Sequence, residues 1–198
     1  MNVASREAWL TARQELLDSP CNLAGLFSGC SQLLVYHFMF AAGWSAGCPI
    51  CSFWTDTLSG ASSHLRQRDT AMVWVSRARL AELPAYRQRM GWQVEWVSSS
   101  DSDFNFDVGV SFTPDQQEQG ATYNFSPIAH PGDELPGLSA FALRDGAVYH
   151  TYSCYGRGLD ALNPAYALLD RTAKGRDEAQ LPSPMSWVRR RDASSKEA

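Results

Sequence analysis

The chain has 198 residues, of which 44% are hydrophobic and 19% are charged. This composition is typical of a globular protein and excludes disorder throughout the chain. The net charge of -4 at pH 7 argues against a nucleic-acid-binding domain, which usually carries a basic face. We therefore expect one globular domain without a nucleic-acid partner.

The N-terminal residues and the cysteines together predict a cytoplasmic protein. Ser5, Arg6 and Glu7 interrupt any apolar run of the signal-peptide kind. The most apolar stretch, residues 33–50, approaches the length of a membrane span, but it contains His37 and two glycines. We expect a buried strand and a loop there, and no membrane partner. Five cysteines, an odd number, fit free thiols in a reducing compartment better than a disulfide framework.

The first half of the chain predicts a parallel α/β unit. Ser5 is a helix-capping residue followed by apolar residues at helical spacing. The run from Gln32 to Phe40 is apolar almost throughout, as expected of a central strand that is buried on both faces. The predicted elements are a helix at 5–17, a strand at 32–40, a helix from Cys51 to about Leu65, a strand at 70–76, a helix at 80–90 and a short strand at 93–98.

The second half predicts an antiparallel hairpin and an irregular end. Asp145-Gly146 lies between two apolar runs and is a strong signal for a tight hairpin turn. The end of the chain is polar and basic, although Met185, Trp187 and Val188 could dock locally. The predicted elements are a polar surface excursion at 113–134, strands at 138–143 and 147–153, a closing helix at 158–169 and a tail from 171.

This order of elements predicts an α/β, thioredoxin-like fold. We expect a central mixed sheet flanked by helices, with an N-terminal helix and an irregular C-terminal tail. The corresponding boundaries are residues 1–20 for the N-terminal helix, 21–170 for the thioredoxin-like domain and 171–198 for the polar basic tail.

The candidate catalytic residues are Cys48 and Cys51 in Cys48-Pro49-Ile50-Cys51. The motif directly precedes a predicted helix, and the N–H groups and dipole at a helix N-terminus stabilise a thiolate. Cys48 would be the activated nucleophile, and Cys51, one turn later, would resolve the mixed disulfide. The sequence thus predicts a thiol-disulfide oxidoreductase that needs neither cofactor nor metal.

Two other functions stay open at this point. The same cysteine spacing occurs in zinc sites, so the chain could be a thioredoxin-fold binding module with structural or zinc-holding cysteines. Ser45, three residues before Cys48, resembles the hydroxyl of a peroxiredoxin peroxidatic site. However, Ala41 stands where that family has proline, and no arginine precedes the strand at Leu138. A thiol peroxidase is therefore the weaker variant.

Long blocks of the sequence resemble an uncharacterised bacterial family of thioredoxin-like proteins, domain of unknown function 899, described as predicted dithiol-disulfide oxidoreductases. The resemblance runs from about Leu23 to Arg191 and is carried by blocks at 36–40, 47–54, 75–78, 89–92, 96–99, 102–106, 109–112, 135–139, 150–153, 174–177 and 184–185. It implies a thioredoxin-like fold and redox activity, with a protein or small-molecule disulfide as substrate and a thiol reductant. A homodimer is a further expectation.

The thioredoxin-like pattern also implies supporting residues around the dithiol. His37 lies on the strand where thioredoxins place a proton acceptor for the resolving cysteine, although a hydrogen-bonded core histidine is the competing interpretation. Pro136 is the candidate for the cis-proline that thioredoxins hold opposite the dithiol. Trp44 and Trp54 flank the motif as packing or substrate-facing aromatics.

Overall fold

The structure, a computed structural model, describes residues 22–194. The predicted N-terminal helix at 1–20 and Cys21 lie outside these residues. Within them the chain forms a five-stranded sheet and a separate two-stranded hairpin. The helices of this same range are all too short or too polar to cross a membrane.

The first half of the described chain alternates strands with helices, as predicted. Pro84 lies in the first turn of its helix, where the missing proline N–H leaves no bond unmade. The elements are β1 (Gln32–His37), α1 (Pro49–Leu58), a 3-10 turn (Ser59–Ala61), α2 (Ser62–Arg66), β2 (Thr70–Ser76), a 3-10 turn (Leu80–Glu82), α3 (Leu83–Met90) and β3 (Trp96–Ser98).

The middle of the chain contains four short elements, three of which lie within residues 113–134, where the sequence predicts a polar surface excursion. α4 (Phe104–Asp107) precedes this stretch, which contains α5 (Pro114–Gln119), β4 (Ala121–Tyr123) and β5 (Ser126–Ile128). Thr113 and Gln116 begin α5 with a capping box, in which each side chain accepts a hydrogen bond from the other's backbone N–H.

The second half closes the sheet with the predicted hairpin. Asp145 and Gly146 connect its strands with φ angles of 53° and 77°, the left-handed conformation that a tight two-residue turn requires. The remaining elements are β6 (Gly137–Arg144), β7 (Ala147–Tyr155), a 3-10 helix (Gly156–Leu162), α6 (Pro164–Leu169) and α7 (Arg191–Ser194).

The strand order of the main sheet is β3-β2-β1-β6-β7. β1 is central: it pairs in parallel with β2 and antiparallel with β6. β2 and β3 are parallel, and β6 and β7 are antiparallel. The α/β, thioredoxin-like prediction with a central mixed sheet flanked by helices is therefore confirmed.

The two faces of this sheet carry separate apolar clusters. Because side chains alternate along a strand, Tyr36 and Phe38 point to one face and Val35 and His37 to the other. We call the first the dithiol face, since Cys51 and the rest of α1 pack there, and the second the opposite face. Cys48 and Cys51 therefore lie on only one face of the sheet.

The C-terminal segment from residue 171 is irregular, as expected, but its later part packs on the domain. Met185 and Val188 are buried in the cluster of the dithiol face. Beyond them, Arg89 of α3 forms a 2.6 Å ion pair with Asp192. Residues 191–194 are thereby brought beside α1 and α3.

Candidate active site

Cys48 lies at the N-terminus of α1. It is the N-cap residue, and Pro49 holds the first helical position, where proline is favoured because its φ is already helical and it has no N–H to leave unpaired. Cys51 follows one turn later on the buried side. The structure thus places the two sulfurs at a helix N-terminus, and both are free thiols.

The Cys51 side chain is fully buried. The Met39 N–H donates to its sulfur at 3.4 Å, and the buried Tyr36 hydroxyl is close enough for each group to affect the pKa of the other. Burial is the largest influence and raises the pKa of the Cys51 thiol well above its usual value. Cys51 is therefore held as a neutral thiol.

Cys48 is half-buried, and its pKa is lowered to about 6. The largest cause is the hydrogen bond from the Cys51 thiol, which partial burial opposes. The Cys51 and Ile50 N–H groups and the Arg190 charge lower the pKa further, although the Cys48 side chain makes no capping hydrogen bond of good geometry. At neutral pH, Cys48 is mainly a thiolate, the nucleophilic form.

Arg190 reaches this site from the C-terminal segment. Its guanidinium donates a 3.2 Å hydrogen bond to the carbonyl of Gly47, the residue directly before Cys48. The nearby burial of Val188 fixes the segment on the domain. Arg190 is not among the predicted site residues, because a polar, basic chain segment is typical of a solvated tail. The apolar residues 185, 187 and 188 were the available signal that this end docks.

Glu134 is a second residue that sequence analysis missed. It is only 2% exposed, and its Oε2 accepts a 2.8 Å hydrogen bond from the Phe40 N–H. The pKa of its carboxyl group is raised to about 8, chiefly by burial and also by the charges of Asp133 and Cys48, while the Phe40 N–H bond and the charge of Arg77 oppose the rise. Glu134 is thus a protonatable group that is close enough to Cys48 for the two charges to interact.

His37 is not brought to the dithiol. It lies on the opposite face, 1% exposed, where its Nε2 is 2.8 Å from the Ser139 hydroxyl and its ring packs on Phe104. Burial lowers its pKa to about 3, so the imidazole is neutral near pH 7. The structure therefore gives His37 the setting of a hydrogen-bonded core histidine.

The other predicted supporting residues are only partly assembled around the dithiol. Ser45 is exposed and Trp44 is half-buried. Trp54 is buried, and its indole N–H donates to a backbone carbonyl at 3.1 Å, so it is a packing residue. Pro136 directly precedes β6 and, like every residue from 22 to 194, has a trans peptide bond. The cis-proline expectation is therefore wrong for this position.

The described residues contain no group of three or more His, Cys, Asp or Glu side chains that could hold a metal ion. Cys30 and Cys154 are both buried free thiols. Cys30 packs in the cluster of the opposite face, and Cys154 packs on the dithiol face. Neither joins the pair at α1.

Comparisons with known proteins identify a family. No curated protein matches the chain. Among solved structures, a cysteine-to-serine mutant of PrxQ from Xylella fastidiosa is 15% identical, with 76% of this chain and 85% of that chain covered and a TM-score of 0.43. A cysteine-to-serine mutant of peroxiredoxin Q from Xanthomonas campestris is 13% identical, with coverages of 78% and 94% and a TM-score of 0.44. Residues 18–194 match the model of a bacterial protein family of unknown function, DUF899, and the chain belongs to that family.

Proposed function

We propose that the protein is a thiol-disulfide oxidoreductase in which Cys48 is the nucleophile and Cys51 the resolving thiol. The observation that carries this proposal is the contrast between the two sulfurs. Cys48 is half-buried, with a pKa of about 6, whereas Cys51 is fully buried, with a raised pKa, and hydrogen-bonds to Cys48. One sulfur is thus ready to attack, and the other is kept neutral until it is needed.

The order of the reaction steps follows from the different pKa values of the two thiols. The Cys48 thiolate attacks one sulfur of a substrate disulfide, which forms a mixed disulfide and releases the first substrate sulfur as a thiolate. Cys51 then loses its proton and attacks the Cys48 sulfur, which releases the second substrate sulfur and closes the Cys48 to Cys51 disulfide. Two electrons pass from the dithiol to the substrate, and a thiol reductant restores the dithiol by the reverse exchange.

The substrate class and compartment are part of the proposal. A protein or small-molecule disulfide would supply the sulfur that Cys48 attacks, and a cytoplasmic thiol would act as the reductant. The half-exposed position of Cys48 supports access by such a partner. A reducing compartment would keep the pair in the dithiol form.

A loss-of-function series tests the proposal. Cys48→Ser should abolish reduction of hydroxyethyl disulfide, whereas Cys154→Ser, which removes a buried thiol on the same face of the sheet, should retain it. Alkylation of wild-type Cys48 by iodoacetamide, followed by mass spectrometry, should be half-maximal near pH 6, the pKa of this thiol. Full activity of Cys48→Ser would overturn the proposal. Stoichiometric zinc in protein purified without chelator would favour the binding module instead.

Peroxide reduction is a second candidate, which Arg190 favours. A cation beside a thiolate is the feature that sequence analysis found missing for a peroxidase, and Arg190 supplies one. In that reaction the Cys48 thiolate takes one oxygen from a hydroperoxide to become a sulfenic acid, and the alkoxide takes up a proton. Cys51 then displaces water to form the disulfide. Hydrogen-peroxide consumption that depends on Cys48 would establish this activity, and its absence would leave disulfide exchange alone.

A further inference from the structure

The peptide group between Met39 and Phe40, just after β1, connects the dithiol to Glu134. The Met39 carbonyl accepts a 3.0 Å hydrogen bond from the Cys48 N–H. The N–H at the other end of the same peptide, that of Phe40, donates to the Glu134 carboxyl at 2.8 Å. The Met39 N–H donates to the Cys51 sulfur. Two consecutive backbone residues therefore fix both cysteines and the carboxyl group relative to one another.

The Glu134 carboxyl group is held in place, and within the described residues only one of its two oxygens accepts a hydrogen bond. Its backbone is bridged to Ser111, and the residues on either side of it also bond to the chain near Ser111. Oε2 is occupied by the Phe40 N–H, whereas Oε1 is buried without a hydrogen-bond partner among the described residues. Buried polar atoms without a partner are rare in folded proteins, and a catalytic role is one of the reasons for which they are kept.

We propose that Glu134 is the acid–base group of the exchange reaction at Cys48 and protonates the departing substrate sulfur. This inference rests on the proposed function. When the Cys48 thiolate attacks a disulfide, the Glu134 carboxyl gives its proton to the leaving thiolate, so the products are the mixed disulfide, a neutral thiol and the Glu134 carboxylate. The proton that Cys51 loses as it attacks Cys48 then returns to the carboxylate, and the second substrate sulfur leaves as a thiolate that water protonates.

The charges around Glu134 suit this role near neutral pH. Asp133 beside it in the chain and Cys48 at the start of α1 both favour the protonated carboxyl, and Arg77 after β2 opposes them. With burial as the main cause, the pKa of Glu134 is raised to about 8, whereas that of Cys48 is about 6. Between these values the nucleophile is ionised while the acid still carries its proton. Exchange should therefore have a bell-shaped pH profile.

The test compares two disulfides that differ in their need for an acid. An aromatic disulfide releases a stable thiolate that needs no proton, whereas hydroxyethyl disulfide releases a basic one. Glu134→Gln keeps an oxygen to accept the Phe40 N–H but cannot donate the proton. We expect reduction of hydroxyethyl disulfide at pH 7 to fall about 100-fold, the lower end for loss of an acid–base group. We expect reduction of the aromatic disulfide to change less than about threefold, since it depends little on proton transfer.

The controls separate this inference from the proposed function. Glu118→Gln removes an exposed carboxyl group and should change neither rate. If the wild-type protein reduces neither disulfide, the proposed function fails. If the wild type is active but Glu134→Gln slows both substrates equally or slows neither, the inference alone is overturned. Should the variant not fold, the wild type still decides: above about pH 8 only the hydroxyethyl disulfide rate should fall, and parallel profiles would overturn the inference.

Discussion

Two neighbouring residues of β1, Tyr36 and His37, lie on opposite faces of the central sheet and have different surroundings. Tyr36 and His37 are adjacent, both are at most 1% exposed, and each has a buried polar atom for which residues 22–194 provide no hydrogen-bond partner of good geometry. On the dithiol face, Tyr36 lies beside the Cys51 thiol, which itself bonds to Cys48. On the opposite face, His37 lies against Ser139 and Phe104. Two equally buried neighbours thus have different surroundings, a pair of thiols on one face and a packed core on the other.

Removal of one buried thiol from each face tests this contrast most strongly. Cys51→Ser leaves the nucleophile but no thiol to resolve the mixed disulfide, so we expect multiple-turnover reduction to fall at least about a thousandfold, as happens when a reacting group is removed. Intact-protein mass spectrometry should detect substrate bound to Cys48. Cys30→Ser, on the opposite face, should keep the wild-type rate. Equal losses in the two variants would show that the faces do not differ in function.

Much of this contrast could be predicted from the sequence, because local signals fix it. The helical spacing after Cys51 places the dithiol at the start of α1, and the Asp145-Gly146 turn predicts the β6–β7 hairpin. The face on which His37 lies could not be predicted with certainty, because an unbroken apolar strand shows no alternation. The unbroken run also led us to extend β1 to residue 40, three residues beyond its end at His37.

Arg190 and Glu134 could not be predicted from local signals. Arg190 follows Cys48 by more than a hundred residues and reaches Gly47 only because the C-terminal segment docks through Met185 and Val188. Glu134 lies in a polar stretch, and nothing in its immediate sequence indicates that its carboxyl is buried. For both residues, tertiary contacts alone bring the side chain close to Cys48.

His37, on the opposite face, should make the free energy of unfolding depend on pH. The pKa of His37 is about 3 in the folded protein and near 6.5 when the chain unfolds. Between these values only the unfolded state binds the proton, so this residue lowers the free energy of unfolding by about 1.4 kcal/mol for each pH unit of acidification. His37→Gln should flatten that slope in urea unfolding at pH 4, 5 and 6.

The exposed His64 provides the matched control for this experiment. His64→Gln should keep the wild-type dependence of unfolding free energy on pH. His37→Gln should also leave the alkylation rate of Cys48 unchanged, because His37 is on the other side of the sheet. A changed alkylation rate would mean that the opposite face does influence the dithiol.

Two glycines provide a smaller, steric comparison of the faces. A Cβ atom at Gly47 would lie 2.4 Å from the Phe38 ring, and one at Gly137 would lie 2.8 Å from the Tyr155 ring. Each alanine substitution should therefore cost about 1–3 kcal/mol of unfolding free energy through overpacking. Thermal or urea unfolding measures this cost.

The two substitutions should differ in their effect on Cys48. Gly47→Ala moves the residue directly before the nucleophile and should alter its alkylation rate, whereas Gly137→Ala should not. An unaltered rate in Gly47→Ala, with the stability lowered, would mean that the position of Cys48 tolerates movement of its neighbour.

Arg190 should give the smallest effect, because its charge is the weakest of the influences that lower the pKa of Cys48. A partly exposed charge pair contributes about 0.2–1 kcal/mol, so Arg190→Gln should raise the pKa of Cys48 by less than about one pH unit. Alkylation of Cys48 should then slow about twofold to threefold at pH 6 and stay unchanged at pH 8.5, where the thiolate predominates in both proteins.

Arg190→Lys keeps the charge and should restore most of the rate at pH 6. Arg189→Gln is the matched control, since Arg189 is exposed and its bonds within the described part of the chain go to nearby backbone carbonyls. Slowing at both pH values would mean that Arg190 acts on the position of Cys48 through the Gly47 carbonyl, and not through its charge.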